Sequence, residues 1–192
     1  MANEFQQGPQ PNYQQPMGPQ PGFQPGFQPQ GTPQMQIGEA IQRWLANLTN
    51  FNGRARRSEF WWVMLVVGVG GWLLNLIFGA IGGTFGGILQ LIVGIAEIVL
   101  TASLLVRRLQ DTGKPAILAW IFYGLYAIVL IMALITVLSA KSGSAEGAVG
   151  GFLGTAALSI ILMIYGIVLL IFLCMDSNMG PNKYGPSEKY PG

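Results

Sequence analysis

The chain has 192 residues, of which 51% are hydrophobic and 9% charged, at a net charge of +2 and a mean hydropathy of +0.46. A soluble domain carries about 25% charged residues, so this composition points to membrane spans of about 20 apolar residues each. So small a surplus of positive charge gives no basis for nucleic-acid binding. With no histidine and a single cysteine, Cys174, the sequence excludes an internal disulfide, His-based triads, histidine-bearing zinc sites and a histidine pH switch.

Residues 1–36 form a Gln/Pro block, with 19 of the 36 positions held by these two residues and Glu4 the lone charge. Such a segment buries too little apolar surface to offset its chain entropy and is expected to be a disordered tail. Phe5, Tyr13, Phe23 and Phe27 punctuate it and could serve a membrane or cytoplasmic protein partner. No basic stretch followed by an apolar one opens the chain, so no cleavable signal peptide is expected. The period changes over 37–51: Ile37, Ile41, Trp44, Leu45, Leu48 and Phe51 share one face. That spacing predicts an amphipathic helix lying in the membrane interface, with Trp44 at headgroup level. A short helix packed against protein loops is the alternative.

From Phe60 to Ala96 there is no charge. These 37 residues suit two spans, divided by the glycine cluster of "GAIGGTFGGI". The chain order then predicts spans at about 60–80, 86–106, 115–138 and 152–175. Residues 139–151 read as a loop of small polar residues, and 177–192 as a polar tail. The membrane domain is 52–176. With the N-terminus inside, nine of the ten basic residues fall on the cytoplasmic side and only Lys141 outside, a strong positive-inside bias. The expected architecture is an all-α, four-helix transmembrane bundle with both termini cytoplasmic.

Three stretches hold half of the charged residues: "FNGRARRSEFWW" (51–62), "RRLQDTGK" (107–114) and "GPNKYGP" (180–186). Together, in this order around four spans, they resemble the domain of unknown function 805 family of small bacterial inner-membrane proteins. The resemblance covers roughly 40–187, implies a bacterial inner-membrane location and supplies no reaction. Gln110 stands where that family commonly has histidine.

Two groups of residues stand out as sites. Arg54, Arg56, Arg57 and Glu59 precede the first span, and Arg107, Arg108, Asp111 and Lys114 lie between the second and third. This collar reads either as salt bridges that fix topology or as a site for anionic lipid headgroups or another anionic ligand, because the arginine fork suits carboxylate and phosphate. The two arginines of "RRLQDTGK" are expected to end the second span, leaving the rest as a hinge. The second group is intramembrane: Glu97, Gln90 and Asn75. Glu97 lies ten residues before Arg107, about 15 Å along a helix. It falls on a stripe with Gly87, Gln90, Gly94, Thr101, Leu104 and Arg108 that should face other helices. By residue type Asn75 is its best partner, although its depth disfavours the contact. Glu97 reads either as protonated glue between helices or as a proton- or cation-coupling group of a small transporter or channel. The glycine strings do not match G-x-x-x-x-G-K-[ST]. No catalytic, cofactor or metal constellation is visible, and no enzyme is expected. A structural or interaction protein, engaging the bilayer, anionic lipid or a partner, is the first functional reading. Its small-residue faces leave monomer and oligomer both open.

Overall fold

The computed structural model describes residues 31–190. Five helices follow in order: α1 (Ile37–Ala46), α2 (Arg57–Ile81), α3 (Gly83–Asp111), α4 (Ile117–Lys141) and α5 (Ala145–Cys174). No strand forms among the described residues, and α2 to α5 are each long and apolar enough to cross a membrane. Helices of 25 to 30 residues span about 38–45 Å at 1.5 Å per residue. A hydrocarbon core of about 30 Å therefore leaves their ends in the interfacial layers, where charge is tolerated. The predicted Gln/Pro tail lies largely outside the described residues. Its last stretch, 31–36, is held against the rest of the chain: Thr32 N donates to Lys189 O, and Met35 N to the Ser58 hydroxyl.

The connections are shorter than the sequence suggests, for local reasons. Between α2 and α3 the turn is Gly82 and Gly83, with φ of 68° and 62°, a region that glycine enters without steric cost. The expected loop at 139–151 shrinks to Ser142–Ser144. There the Ser144 hydroxyl caps α5 by accepting from Gly147 N, and Glu146 sits in the first turn; both satisfy the positive end of a helix. Small residues thus start a helix here and do not prolong a loop. Likewise α3 does not stop at 106: it continues to Asp111 and closes through Lys114 N to Leu109 O, 2.8 Å, beside Gly113 at φ 73°. Arg107 and Arg108 are therefore helical, and the hinge is confined to 112–116.

Helix α1 also departs from expectation. It ends at Ala46, and Trp44 is buried. The indole N–H donates 2.8 Å to Leu100 O on α3, and Ser103 Oγ reaches Asn47 O. Burying the indole is feasible because its one polar atom finds a carbonyl; Trp44 is a packing anchor for α1 on α3. Among the four long helices α3 is central and by far the most buried. It packs on α2 and α4, α4 packs on α5, and α2 does not pack closely on α5.

Candidate functional site

The end of the bundle where α2 and α4 begin, and α3 and α5 finish, holds a buried cluster of charge. Arg54, Glu59, Arg107, Arg108 and Asp111 are each 0% to 3% exposed. Asp111 is its centre. Its Oδ1 accepts from Arg54 Nε at 2.8 Å, and its Oδ2 from Arg108 Nη1 and Ser177 Oγ, both at 2.5 Å. Glu59 Oε1 accepts from Arg107 Nη2 at 3.1 Å, and Arg43 Nε lies 3.7 Å from Oε2. Arg43 in turn pairs with Glu188.

Three buried arginines face two buried acids, leaving one excess positive charge. Backbone carbonyls absorb it. Arg108 donates to Leu173 O (3.0 and 3.2 Å) and Met175 O (2.5 Å), at the carboxyl end of α5 where the helix dipole is negative. Arg54 donates to Asn178 O at 2.5 Å and Gly180 O at 2.8 Å. Five donors on a planar fork make this possible. The residues after α5 are consequently not a free tail. Asn178 N donates to Asp111 O, and Asn182 pairs with Gly185 across a tight turn and reaches Gln110 O. All three charged motifs thus meet in one knot.

Of the collar residues, Arg54, Arg107 and Arg108 are enclosed and paired, so they do not present guanidinium groups to lipid. Arg56 is half-buried and donates to Thr32 O and Pro33 O. Arg57 is exposed and makes no ion pair among the described residues. Lys114 is half-buried, with its ammonium 4.7 Å from the centre of the Phe172 ring. Gln110 Nε2 donates to Phe51 O, while its Oε1 is buried without a partner. Sequence reasoning missed Ser177, Asn178, Arg43 and Glu188. The available signal was that a Pro/Gly-rich motif so dense in turn formers must fold onto something.

The intramembrane group resolves differently. Asn75 is not the partner of Glu97: Asn75 Nδ2 donates to Gly71 O, and the backbone carbonyl of Asn75 accepts from Gln90 Nε2 at 3.0 Å. Glu97 Oε2 accepts from the Tyr126 hydroxyl of α4 at 2.8 Å. Its other oxygen rests against Gly71, where any Cβ would overlap the carboxylate. One turn on, Thr101 Oγ1 meets Tyr123 Oη at 2.8 Å. Neither tyrosine was anticipated, although a phenol inside a span needs a polar partner. The α3 stripe faces α4 as well as α2, with Gly94 packed on Leu130 and Tyr126.

Comparison with known proteins bears on the same residues. A family model described as "Protein of unknown function (DUF805)" matches residues 48–186. The chain belongs to this family. It is also 25% identical over 146 residues to the inner membrane protein YhaI of Escherichia coli strain K12, covering 76% of this chain and 92% of that protein. The YhaI protein of Escherichia coli O157:H7 matches to the same extent. No solved structure gives a significant match. The family match begins at residue 48 and ends at 186. It therefore takes in the whole knot except Arg43 and Glu188. The chain is a multi-pass inner-membrane protein of this family.

Proposed function

We propose that the chain is a structural or interaction protein of the inner membrane, with both ends cytoplasmic, and not an enzyme. The observation that supports this most is the internal pairing of Arg54, Arg107 and Arg108: the charged motifs are engaged in holding helices and tail together. What remains available is Arg57, with Arg56 beside it. They border a groove of about 850 Å³ that continues along Trp61, Trp62, Leu65 and Val69. Basic residues next to aromatic ones at a span end suit an anionic lipid, with headgroup at the arginines and an acyl chain along the groove. The Gln/Pro-rich segment extends the reach toward a protein partner.

Lipid retention tests the reading. In the purified protein, phosphatidylglycerol should be retained over phosphatidylcholine, measured by native mass spectrometry. Arg57→Gln should reduce that preference about fivefold, from roughly 1 kcal/mol per basic residue near the surface. Equal retention of both lipids by the wild type, or no change in Arg57→Gln, would remove the lipid role. Single cysteines at the exposed positions Ser142 and Lys183, in a chain whose native Cys174 is replaced and labelled in intact cells, test orientation: only the first should react from outside.

A further inference from the structure

Between α2 and α5 the bundle is open. The crevice there has a volume of about 360 Å³, within the range of about 300–1,000 Å³ typical of ligand sites. Phe60, Trp61, Phe122 and Tyr123 contribute aromatic surface, and Leu162 and Leu169 aliphatic surface. Glu97 is the one charged residue that lines it. Glu97 makes no ion pair among the described residues. Its carboxylate accepts from Tyr126, which leaves further acceptor positions open.

We propose that this crevice binds a lipophilic organic cation, with its ammonium group at Glu97 and its apolar body between α2 and α5. Four features select that chemistry. A carboxyl group in apolar surroundings either sheds its charge or takes a counter-charge, and an ammonium group at Glu97 supplies the counter-charge. The aromatic walls stabilise an organic ammonium ion through their π faces. A hard metal ion instead needs several oxygen ligands, and no cluster of three or more suitable acidic or thiol side chains occurs among the described residues. Finally, Glu97 lies about 15 Å along α3 from Arg107, so the ligand enters from the bilayer and must carry a large apolar body beside its charge. The inference goes beyond the structural role above and does not depend on it.

The test uses the full chain in phosphatidylcholine vesicles and radiolabelled dodecyltrimethylammonium, whose charge is permanent. Saturable binding of one probe per chain is expected after subtraction of protein-free vesicles. Glu97→Gln preserves a hydrogen-bond acceptor for Tyr126 but removes the charge, and should weaken binding about tenfold or more. Gly68 lines the crevice, and a Cβ there meets nothing within 4 Å. Gly68→Leu should therefore fill the space, keep Glu97 and also reduce binding. Dodecanol, of equal chain length and no charge, should not compete. Folding of each variant is checked by helical circular dichroism and a monodisperse elution profile. Absence of saturable binding to folded wild type overturns the proposal. So does wild-type binding by folded Glu97→Gln or Gly68→Leu, or displacement by an equal concentration of dodecanol. If Glu97→Gln fails to fold, the Gly68 variant and the dodecanol competition decide alone.

Discussion

Replacing Asp111 by asparagine probes the charge knot with almost no change of shape. The carboxylate accepts on both oxygens: Arg54 on one, Arg108 and Ser177 on the other. An amide offers one acceptor oxygen and one donor NH2. Whichever way it is turned, at least one buried arginine faces a donor, and two guanidinium groups lose their shared counter-charge. Removing one partner of a buried ion pair costs about 3–5 kcal/mol. That range applies because Arg54, Arg108 and Asp111 are at most 3% exposed, and water does not screen them. The Asn178, Gly180, Leu173 and Met175 carbonyls still hold the arginines, so the loss should fall toward the lower end. Reversible denaturant unfolding in mixed micelles measures it. Combining Asp111→Asn with Arg54→Met should show coupling of about 2 kcal/mol, within the range for residues in one network. A loss below about 0.5 kcal/mol for Asp111→Asn, or additivity in the double variant, would refute the idea that Asp111 organises this end of the bundle.

Three further outcomes are expected. Ser177→Ala removes a hydrogen bond to a carboxylate, of a kind that contributes about 1.5–3 kcal/mol; the segment after α5 should loosen, and trypsin should cut faster after exposed Lys183. Gly71→Ala should displace the Glu97 carboxylate, the far end of a flexible side chain, and cost about 1 kcal/mol through its hydrogen bond with Tyr126, while Gly68→Ala should be neutral or stabilising by up to about 1 kcal/mol from helix propensity; thermal unfolding of the pair in detergent compares them. The Asp176–Lys189 pair, 2.5–2.6 Å, should give the tail a pH window. For Asp176 burial pushes the carboxyl up, but the Lys189 ammonium, the Ser177 N–H and the Tyr190 hydroxyl together hold it below its ordinary 3.8. Lys189 is opposed by its own burial yet held above 10.5 by Asp176 and Tyr190. A depressed acid stabilises above its unfolded pKa and loses that as pH falls. A raised base stabilises below its unfolded pKa and loses that as pH rises. Hydrogen exchange of 176–190 should therefore show constant protection from about pH 5 to pH 9 and weakening beyond both limits. Weakening within that window would contradict the pairing.

The four spans were legible because apolar length is a one-dimensional property: the charge-free run from Phe60 to Ala96 admits two crossings and little else. The ends were not, because helix boundaries depend on local chemistry that competes with composition. Ser144 caps a helix inside what composition marks as loop, and α3 runs through two arginines because distant partners neutralise them. The candidate site was legible as a set of residue types but not as a place. Arg54 and Asp111 are 57 positions apart, and Asp111 and Ser177 are 66 apart. No periodicity connects such separations. Glu97 stood out as an acid in a span, yet its partner came from α4, since nothing in the spacing of α3 says which face meets which neighbour.

That last gap bears on why the charge is gathered at one end. In lipid, apolar side chains gain little by leaving one hydrocarbon surface for another, so greasy faces do not fix which helices pair or in what register. The outward surfaces of α2, α4 and α5 are of this kind. Register must come from contacts that are costly when misplaced. Gly71 under the Glu97 carboxylate is one, because a shift of a residue along α3 would drive the acid into side chains. The knot is the other. Sliding α2 or α5 by one turn would separate Glu59 from Arg107, or the α5 carbonyls from Arg108, and strand a buried charge at about 3–5 kcal/mol. Misregistered packings are thereby penalised more than the native one is rewarded. The family's charged motifs then act as a specification of topology, and a variant with the knot replaced by apolar residues tests this. Arg54→Met, Arg108→Met and Asp111→Leu together should retain much of the stability. Cysteine pairs placed across α3 and α5, the helices that Arg108 ties together, should nonetheless crosslink in several registers where the wild type gives one; a single register in that variant would mean that packing alone suffices.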